Sequence, residues 1–351
     1  MTRRAAFLAA ILVAIGRPTL WFMALATFLL RGGIVLVVLP IITLPSVLGL
    51  SNAFAPILLP LALGRFEPAL LLGPAAVVVV LLAWLIIGGR LAAGIDVALA
   101  RDAADAAIDE GVGGEGSLPP GGSVSAVGWR VVAIRLVAWL PLAIALGIGL
   151  ARIVQVTYLE LTRPVDVLTP LIVRVAAEST SQLGLIVVAW ALGEVVGGVA
   201  TRRAALTTTR YGNALGWAIR TSASSPLSWL VPWVGTTILV ALVMAPTLAA
   251  ASFAWTKAVD ALSDRLFEPV ATMLTMLAFV AIWLAAIVLS GVALAVRSTV
   301  QTFEHVRRHA LETAARRGVG GATATDAAGT FGASAHRRPG DWSPGDEGGS
   351  L

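Results

Sequence analysis

The stretch 187-VVAWALGEVVGGVATRR-203 indicates the fold class, because it joins an apolar helical run to a pair of arginines. Such a run is typical of the cytoplasmic end of a membrane-spanning helix. It also contains Glu194, and burying a carboxylate in hydrocarbon costs several kcal/mol unless its charge is compensated. The stretch therefore predicts a spanning helix with an acid that needs a partner.

The composition of the whole chain indicates an integral membrane protein. Of the 351 residues, 58% are hydrophobic and 13% are charged, whereas a soluble domain carries about 25% charged residues. The formal charge of +5 suits some nucleic-acid binders, but most arginines flank apolar segments, so we expect no nucleic-acid partner. The chain has no cysteine, which excludes disulfides, thiolate metal ligands and cysteine nucleophiles.

Six apolar segments are long enough to cross a bilayer core of about 30 Å, which requires about 20 helical residues. We expect an all-α, polytopic transmembrane helix bundle of about six spans, the first of which can kink at Gly32 and Gly33. A tryptophan recurs in each even-numbered span, which is compatible with three tandem helical hairpins and equally with the general composition of helix ends. The expected spans are 19–46, 69–92, 131–153, 180–200, 227–250 and 270–296.

The distribution of arginine predicts the orientation of the spans. The segment between the fourth and fifth spans carries four arginines and no acidic residue, and the segment after the sixth span is also rich in arginine. Both termini are therefore expected in the cytoplasm. Lys257 is the only lysine, a bias that suggests a GC-rich bacterial genome, so the expected location is the bacterial cytoplasmic membrane.

Changes in composition divide the chain into membrane and cytoplasmic parts. The N-terminal apolar run lacks a small-residue cleavage site and predicts a helix on the inner membrane surface, and residues 211–222 predict a second interfacial helix. The aperiodic C-terminus predicts disorder, and its arginines are expected to contact anionic lipid head groups. The expected boundaries are 1–18 for the interfacial helix, 19–300 for the six-span domain with a flexible linker at about 111–126, 301–317 for a cytoplasmic helix and 318–351 for a disordered tail.

Two opposite charges are expected at comparable depths in the membrane. Arg31 lies roughly 18 Å and Glu194 roughly 12 Å from the cytoplasmic surface, at 1.5 Å per helical residue. One interpretation is a structural ion pair between them inside the bundle, and the other makes Glu194 a carrier of a proton or cation. Gly193, Gly197 and Gly198 reduce the bulk of this helix and favour close helix packing.

A polar helix face precedes the fourth span. Arg174, Glu178 and Gln182 recur every four residues and therefore share one face. Two interpretations stay open. One is an amphipathic surface helix with an Arg174–Glu178 pair, and the other is the polar lining of an outward vestibule that leads to Glu194.

The run 304-EHVRRH-309 places two histidines one helical turn apart, a spacing that suits a metal ion. Two arginines between His305 and His309 would repel a cation, and no third ligand is evident, so a solvated helix is the better interpretation. The sequence has no nucleotide-binding loop and no nucleophile elbow. We therefore predict no metal, no cofactor and no catalytic residue.

Two stretches of the chain carry a family resemblance. The runs 17-RPTLWFMALATFLLRGG-33 and 193-GEVVGGVATRRAAL-206 resemble a group of uncharacterised six-span membrane proteins from GC-rich bacteria. At greater distance the arrangement is similar to the membrane domain associated with glycerophosphodiester phosphodiesterases. The resemblance covers the spans and not the tail. It implies no phosphodiesterase activity, because the catalytic domain is not present in the sequence.

The sequence leaves three classes of function open. The preferred expectation is a structural, assembly or accessory role without enzyme activity. The first alternative is a transporter or lipid-moving permease that uses Glu194 and Arg31, and the second is an intramembrane enzyme acting on lipid. Access of water to Glu194 would favour the transporter, and two carboxylates converging on one cavity would favour the enzyme. A protein partner or homo-oligomer is compatible with all three.

Overall fold

The computed structural model describes residues 2–41, 72–112, 123–162, 171–207, 209–263 and 269–331. These residues are almost entirely helical and contain no β-strand, so the predicted all-α bundle is confirmed. Six of the described helical segments are long and apolar enough to cross a membrane: Pro18–Val38, Ala75–Asp109, Ala126–Glu160, Thr180–Leu206, Pro226–Ser263 and Pro269–Ala314. Many of their large apolar side chains are exposed, as expected of a surface covered by lipid.

The helices are numbered in chain order over the described residues. The first span is divided into α2 and α3 by a short π-helical turn at Leu29–Gly33. The remaining spans are formed by α4, α5, α7, α9 and α10. The bounds are α1 Arg3–Gly16, α2 Pro18–Phe28, α3 Ile34–Val38, α4 Leu72–Asp109, α5 Val124–Thr162, α6 Leu171–Glu178, α7 Thr180–Leu206, α8 Tyr211–Ser224, α9 Pro226–Ser263 and α10 Pro269–Phe331.

Several helices extend beyond the expected spans. The backbone of α10 continues from the sixth span to Phe331, so the expected cytoplasmic helix at 301–317 is a continuation of that span, and the helix also covers the first part of the expected tail. Alanine, a strong helix former, is frequent in this extension. Residues 332–351 and the linker residues 113–122 lie outside the described ranges, whereas residues 124–126 already belong to α5.

The predicted kink in the first span is confirmed at Gly32. Its φ of 99° and ψ of −1° interrupt the helix, and glycine adopts such a positive φ without the steric cost that a side chain imposes. Gly33 packs closely, because an added Cβ atom would clash with the ring of Phe28. The kink turns the backbone directly after Arg31.

The bundle consists of two groups of helices with a cleft between them. The helix α5 packs along α7, and α9 packs along α10, which α1 and α2 also cover. The helix α7 makes few contacts with α9 or α10, whereas α4 contacts both groups. Gly193 and Gly197 lie against α5, where added Cβ atoms would approach the carbonyl oxygen of Ala138 to 2.8 Å and its Cβ atom to 3.0 Å.

The N-terminal helix α1 packs against other helices through its small residues. Ala10 and Ala14 are fully buried in a cluster with Val300 and Phe303 of α10. Its other side exposes larger apolar residues such as Leu12, which is 71% exposed. The helix therefore has one side for the bundle and one apolar side that suits the membrane surface predicted for it.

Candidate functional site

A cavity of about 400 Å³ lies between the two groups of helices. Residues from the first span and from α4, α5, α7 and α10 line it. It lies toward the arginine-rich end of the bundle, since Asp96 and Arg297 follow the apolar parts of the second and sixth spans. Six charged side chains line this charged cavity: Arg31, Asp96, Arg135, Glu194, Arg202 and Arg297.

Asp96 is the carboxylate that pairs with Arg31. Its Oδ2 accepts a hydrogen bond from the Nη2 of Arg31 at 2.5 Å and another from the Nη2 of Arg135 at 3.4 Å. The expected direct pair between Arg31 and Glu194 is therefore replaced by an Arg31–Asp96 pair. The sequence placed Asp96 beyond the end of the second span, but α4 continues through it and carries it to the depth of Arg31.

Glu194 is compensated by two other arginines. Arg297 donates to its Oε2 at 2.9 Å, and the Nη1 of Arg135 lies 3.6 Å from its Oε1. Arg135 therefore bridges both carboxylates, and Arg297 connects α7 to α10 across the cleft. Sequence reasoning singled out neither arginine, because both lie at the ends of apolar segments where anchoring residues are common.

Arg202 differs from the other cavity arginines because its described hydrogen-bond partners are all neutral. It is 9% exposed and donates to the hydroxyl of Thr302 at 3.2 Å and to the carbonyl oxygens of Gly198 and Ser298 at 3.0 and 3.4 Å. Among the described residues, no carboxylate lies within ion-pair distance of it. Gly198 makes room for this side chain, since an added Cβ would lie 3.2 Å from its Nη1.

The charged cavity carries an excess of positive charge. Its four arginines face two carboxylates, which leaves two positive charges without a counter-charge among the described lining residues. Thr27, Ser298 and Gln301 add neutral polar groups, and the remaining lining is mainly apolar and aromatic, with Phe28, Leu36, Leu99, Trp139, Trp190 and Leu294. This arrangement is chemically suited to an anion with an organic part.

A second cavity of about 20 Å³ adjoins the first and shares Glu194, Arg202 and Gln301 with it. This volume can hold one water molecule. Within the described residues, the side-chain nitrogens of Trp229, Trp233 and Gln301 have no hydrogen-bond partner, so one water could satisfy some of these donors. Glu304 also lines the small cavity.

The Glu304 cluster is a separate group of charges near the end of the bundle. Glu304 accepts from Arg307 at 2.9 and 3.0 Å and from Arg308 at 3.0 Å, and Arg3 lies 3.8 Å away. The expectation of a solvated helix here was wrong. Glu304 and His305 are 6% and 1% exposed, because α1 and α9 pack against α10 and Trp217 of α8 lies beside His305.

His305 packs among aromatic rings and not at a metal site. Its ring centroid lies 5.5 Å from that of Trp217 and 6.3 Å from that of Trp229. His309 instead lies near Arg203, with 3.2 Å between its Nδ1 and an Nη1 of that arginine. The part of the chain that the structure describes contains no group of three acidic or histidine side chains that could hold a metal ion.

The polar face before the fourth span lies apart from the charged cavity. Arg174 pairs at 3.2 Å with Glu160 at the end of α5, and the expected Arg174–Glu178 pair is replaced by this contact. Glu178 is exposed where α6 ends, and Gln182 accepts from the hydroxyl of Ser181. None of the three predicted vestibule residues belongs to the described lining of the cavity.

Comparisons with known proteins add no functional residue. No family model matches the chain, no curated protein matches its sequence, and no solved structure matches its fold. The chemistry of the site is therefore interpreted from its own side chains.

Proposed function

We propose that the protein is a transporter or lipid-moving permease whose anionic substrate binds in the charged cavity. One observation carries this proposal. Four arginines and two carboxylates line a cavity of about 400 Å³ between two groups of spanning helices. Charges at membrane depth are costly and typically mark a substrate path. A closed structural ion pair would need neither the open volume nor the two additional positive charges.

The contacts across the cleft suggest how the substrate would act on the protein. The Glu194–Arg297 bond joins the two groups of helices, and so do the bonds of Arg202 to α10. An anion in the cavity would compete with Glu194 for Arg297 and weaken this connection. Because α7 has few other contacts with α10, the two groups could then move relative to each other, as in alternating access.

The broken first span supports the same function. Transporters often carry interrupted helices at their substrate sites, where the backbone lines a cavity. Here the π-helical turn includes Arg31, and Gly32 directly follows that arginine. Gly32 and Gly33 also belong to the cavity lining. A change of the backbone at this turn would move the Arg31 guanidinium relative to Asp96.

The structure meets one requirement of the intramembrane enzyme hypothesis, two carboxylates in one cavity, but those carboxylates are not free to contact a substrate. Asp96 and Glu194 do converge on one cavity, which was the condition set for it. Both carboxylates, however, are held by arginines, and general acid–base catalysis requires a group that can contact the substrate proton. The remaining alternative is a structural role without transport, and a labelling experiment distinguishes the two.

Cysteine labelling tests whether the cavity is open to water, since the natural chain has no cysteine. Ser298→Cys places a thiol in the cavity lining, and Thr299→Cys provides a matched control at the next residue, which is 0% exposed. A membrane-impermeant, negatively charged thiol reagent should label position 298 at least tenfold faster than position 299. Equal protection of both thiols from both sides of the membrane would support the closed structural role and contradict the transporter.

A further inference from the structure

Resting on the proposed function, we infer that the substrate carries a phosphate group with two negative charges. The cavity arginines provide the binding site, and Asp96 and Glu194 occupy them when the substrate is absent. The phosphate group belongs either to a soluble organic phosphate or to the head group of a lipid. The experiment below distinguishes them.

The charge balance of the cavity points to a dianion. Four arginines and two carboxylates leave an excess of two positive charges among the described lining residues. Arg202 contributes to it, because it is buried and its described hydrogen-bond partners are all neutral. A phosphate monoester carries about −1.5 to −2 charges at neutral pH and would restore neutrality, whereas a monocarboxylate would leave one charge uncompensated.

The positions of the guanidinium groups favour a compact anion. Arg31 and Arg135 donate to the same oxygen of Asp96, and Arg135 also lies beside Glu194. Donors that converge in this way suit three oxygens on one central atom. Arginine forms strong charge-assisted bonds with phosphate. A dicarboxylate separates its charges by a carbon chain and matches this arrangement less well.

The apolar lining indicates that the phosphate is part of a larger molecule. The volume of about 400 Å³ exceeds what one phosphate fills, and Phe28, Leu36, Trp139 and Trp190 contribute apolar surface to it. These side chains would contact the organic part of the substrate. Because two tryptophans line the cavity, their fluorescence offers a direct measure of binding.

The experiment measures binding of defined probes to the full chain. In detergent, hexyl phosphate, succinate and hexanoate are titrated while tryptophan fluorescence is followed. In nanodiscs, phosphatidic acid, whose head group is a phosphate monoester, is compared with phosphatidylglycerol, a monoanionic diester. We expect about tenfold or more tighter binding either of hexyl phosphate than of succinate and hexanoate, or of phosphatidic acid than of phosphatidylglycerol. Additional charge-assisted bonds to the monoester would produce this difference.

Variants connect this preference to the cavity. Arg202→Gln should weaken monoester binding about tenfold or more, and Arg202→Lys should retain part of it. The matched control is Arg203→Gln, because Arg203 packs on Trp217 and is not among the described lining residues of the charged cavity. If Arg202→Gln does not fold, the ranking of the probes by the natural protein remains a complete test.

The outcomes separate the sources and the two proposals. Binding of hexyl phosphate alone supports a soluble substrate, and binding of phosphatidic acid alone supports a lipid. Succinate or hexanoate binding as tightly as hexyl phosphate would overturn the phosphate inference, while labelling at position 298 would still support transport. Absence of both labelling and anion binding would overturn both proposals.

Discussion

The charged cavity and the Glu304 cluster both contain more arginines than carboxylates, but they are assembled differently. Glu304 receives Arg307 and Arg308 from the next turn of its own helix. The cavity collects its charges from the first span and from four other helices. Local contacts of the first kind form wherever the helix forms, whereas the cavity contacts exist only when five spans are correctly placed.

This difference predicts unequal costs of losing one charge. In the cavity, Arg135 contacts both Asp96 and Glu194, whose side chains are 15% and 18% exposed. In the Glu304 cluster, three arginines contact a single carboxylate, so two of them remain when one is lost. Substitutions in the two regions therefore serve as controls for each other.

Removal of Arg135 should produce the largest effect. Arg135→Gln leaves each cavity carboxylate with one arginine in a poorly solvated region. Breaking a buried ion pair costs about 3–5 kcal/mol, and because a partner remains on each side we expect a loss of about 3 kcal/mol in the free energy of unfolding. Reversible unfolding of the purified protein in detergent measures this loss.

The control for this prediction is Arg307→Gln in the Glu304 cluster. Glu304 keeps Arg308 and Arg3, and Arg307 contacts it from one turn away on the same helix, so the loss should stay within about 1 kcal/mol. Equal losses for the two variants would mean that an arginine bridging two carboxylates contributes no more than one of three arginines on a single carboxylate.

A double-mutant cycle should show that the bond across the cleft is strongly coupled. Glu194 and Arg297, each replaced by Gln alone and together, should give a coupling free energy of about 2 kcal/mol. The corresponding cycle on Glu304 and Arg307 should give about 1 kcal/mol, because Arg308 and Arg3 remain on Glu304 when Arg307 is lost. A larger value for the local pair would contradict the central role assigned to the Glu194–Arg297 bond.

Gly32 beside the cavity should respond to alanine in the opposite direction from a glycine within a regular helix. Gly32→Ala imposes a side chain on a φ of 99°, although no atom would clash with the new Cβ. We expect a loss of about 1 kcal/mol from backbone strain alone. Gly89→Ala in α4 also meets no atom within 4 Å, and it should raise stability by up to about 1 kcal/mol through helix propensity. Thermal unfolding of both variants tests the difference in sign.

The parts of the molecule that follow from local pattern could be predicted from the sequence. Apolar length predicts the six spans, and the glycine pair predicts the kink beside Arg31. The partner of Arg31 could not be predicted in this way, because helix rotation and depth depend on packing between helices. Glu194 was expected to serve that role, but Asp96 reaches it since α4 continues past the expected end of the second span.

Arg135 and Arg202 show why the site itself was missed. At the ends of apolar segments, an arginine that anchors a helix and one that lines a cavity have the same sequence context. The sequence feature that bears on the cavity is the large number of such arginines at one end of the bundle, together with the small number of acidic residues there. That signal indicates excess positive charge, but only the structure assigns it to a single cavity.

The smallest change in the free energy of unfolding is expected for the polar face before the fourth span. Here too a partner that is distant in sequence replaces the partner one helical turn away. Spacing alone paired Arg174 with Glu178, whereas the structure pairs it with Glu160, and the two side chains are 14% and 12% exposed. The two contacting atoms, Nη1 of Arg174 and Oε2 of Glu160, form no hydrogen bond of good geometry with each other, so Glu160→Gln should lower the free energy of unfolding by up to about 1 kcal/mol. Glu178→Gln, at an exposed position, should change it by less than about 0.5 kcal/mol. Thermal unfolding of the two variants decides between the pairings, because the reverse order would mean that the helical neighbour at position 178 is the true partner of Arg174.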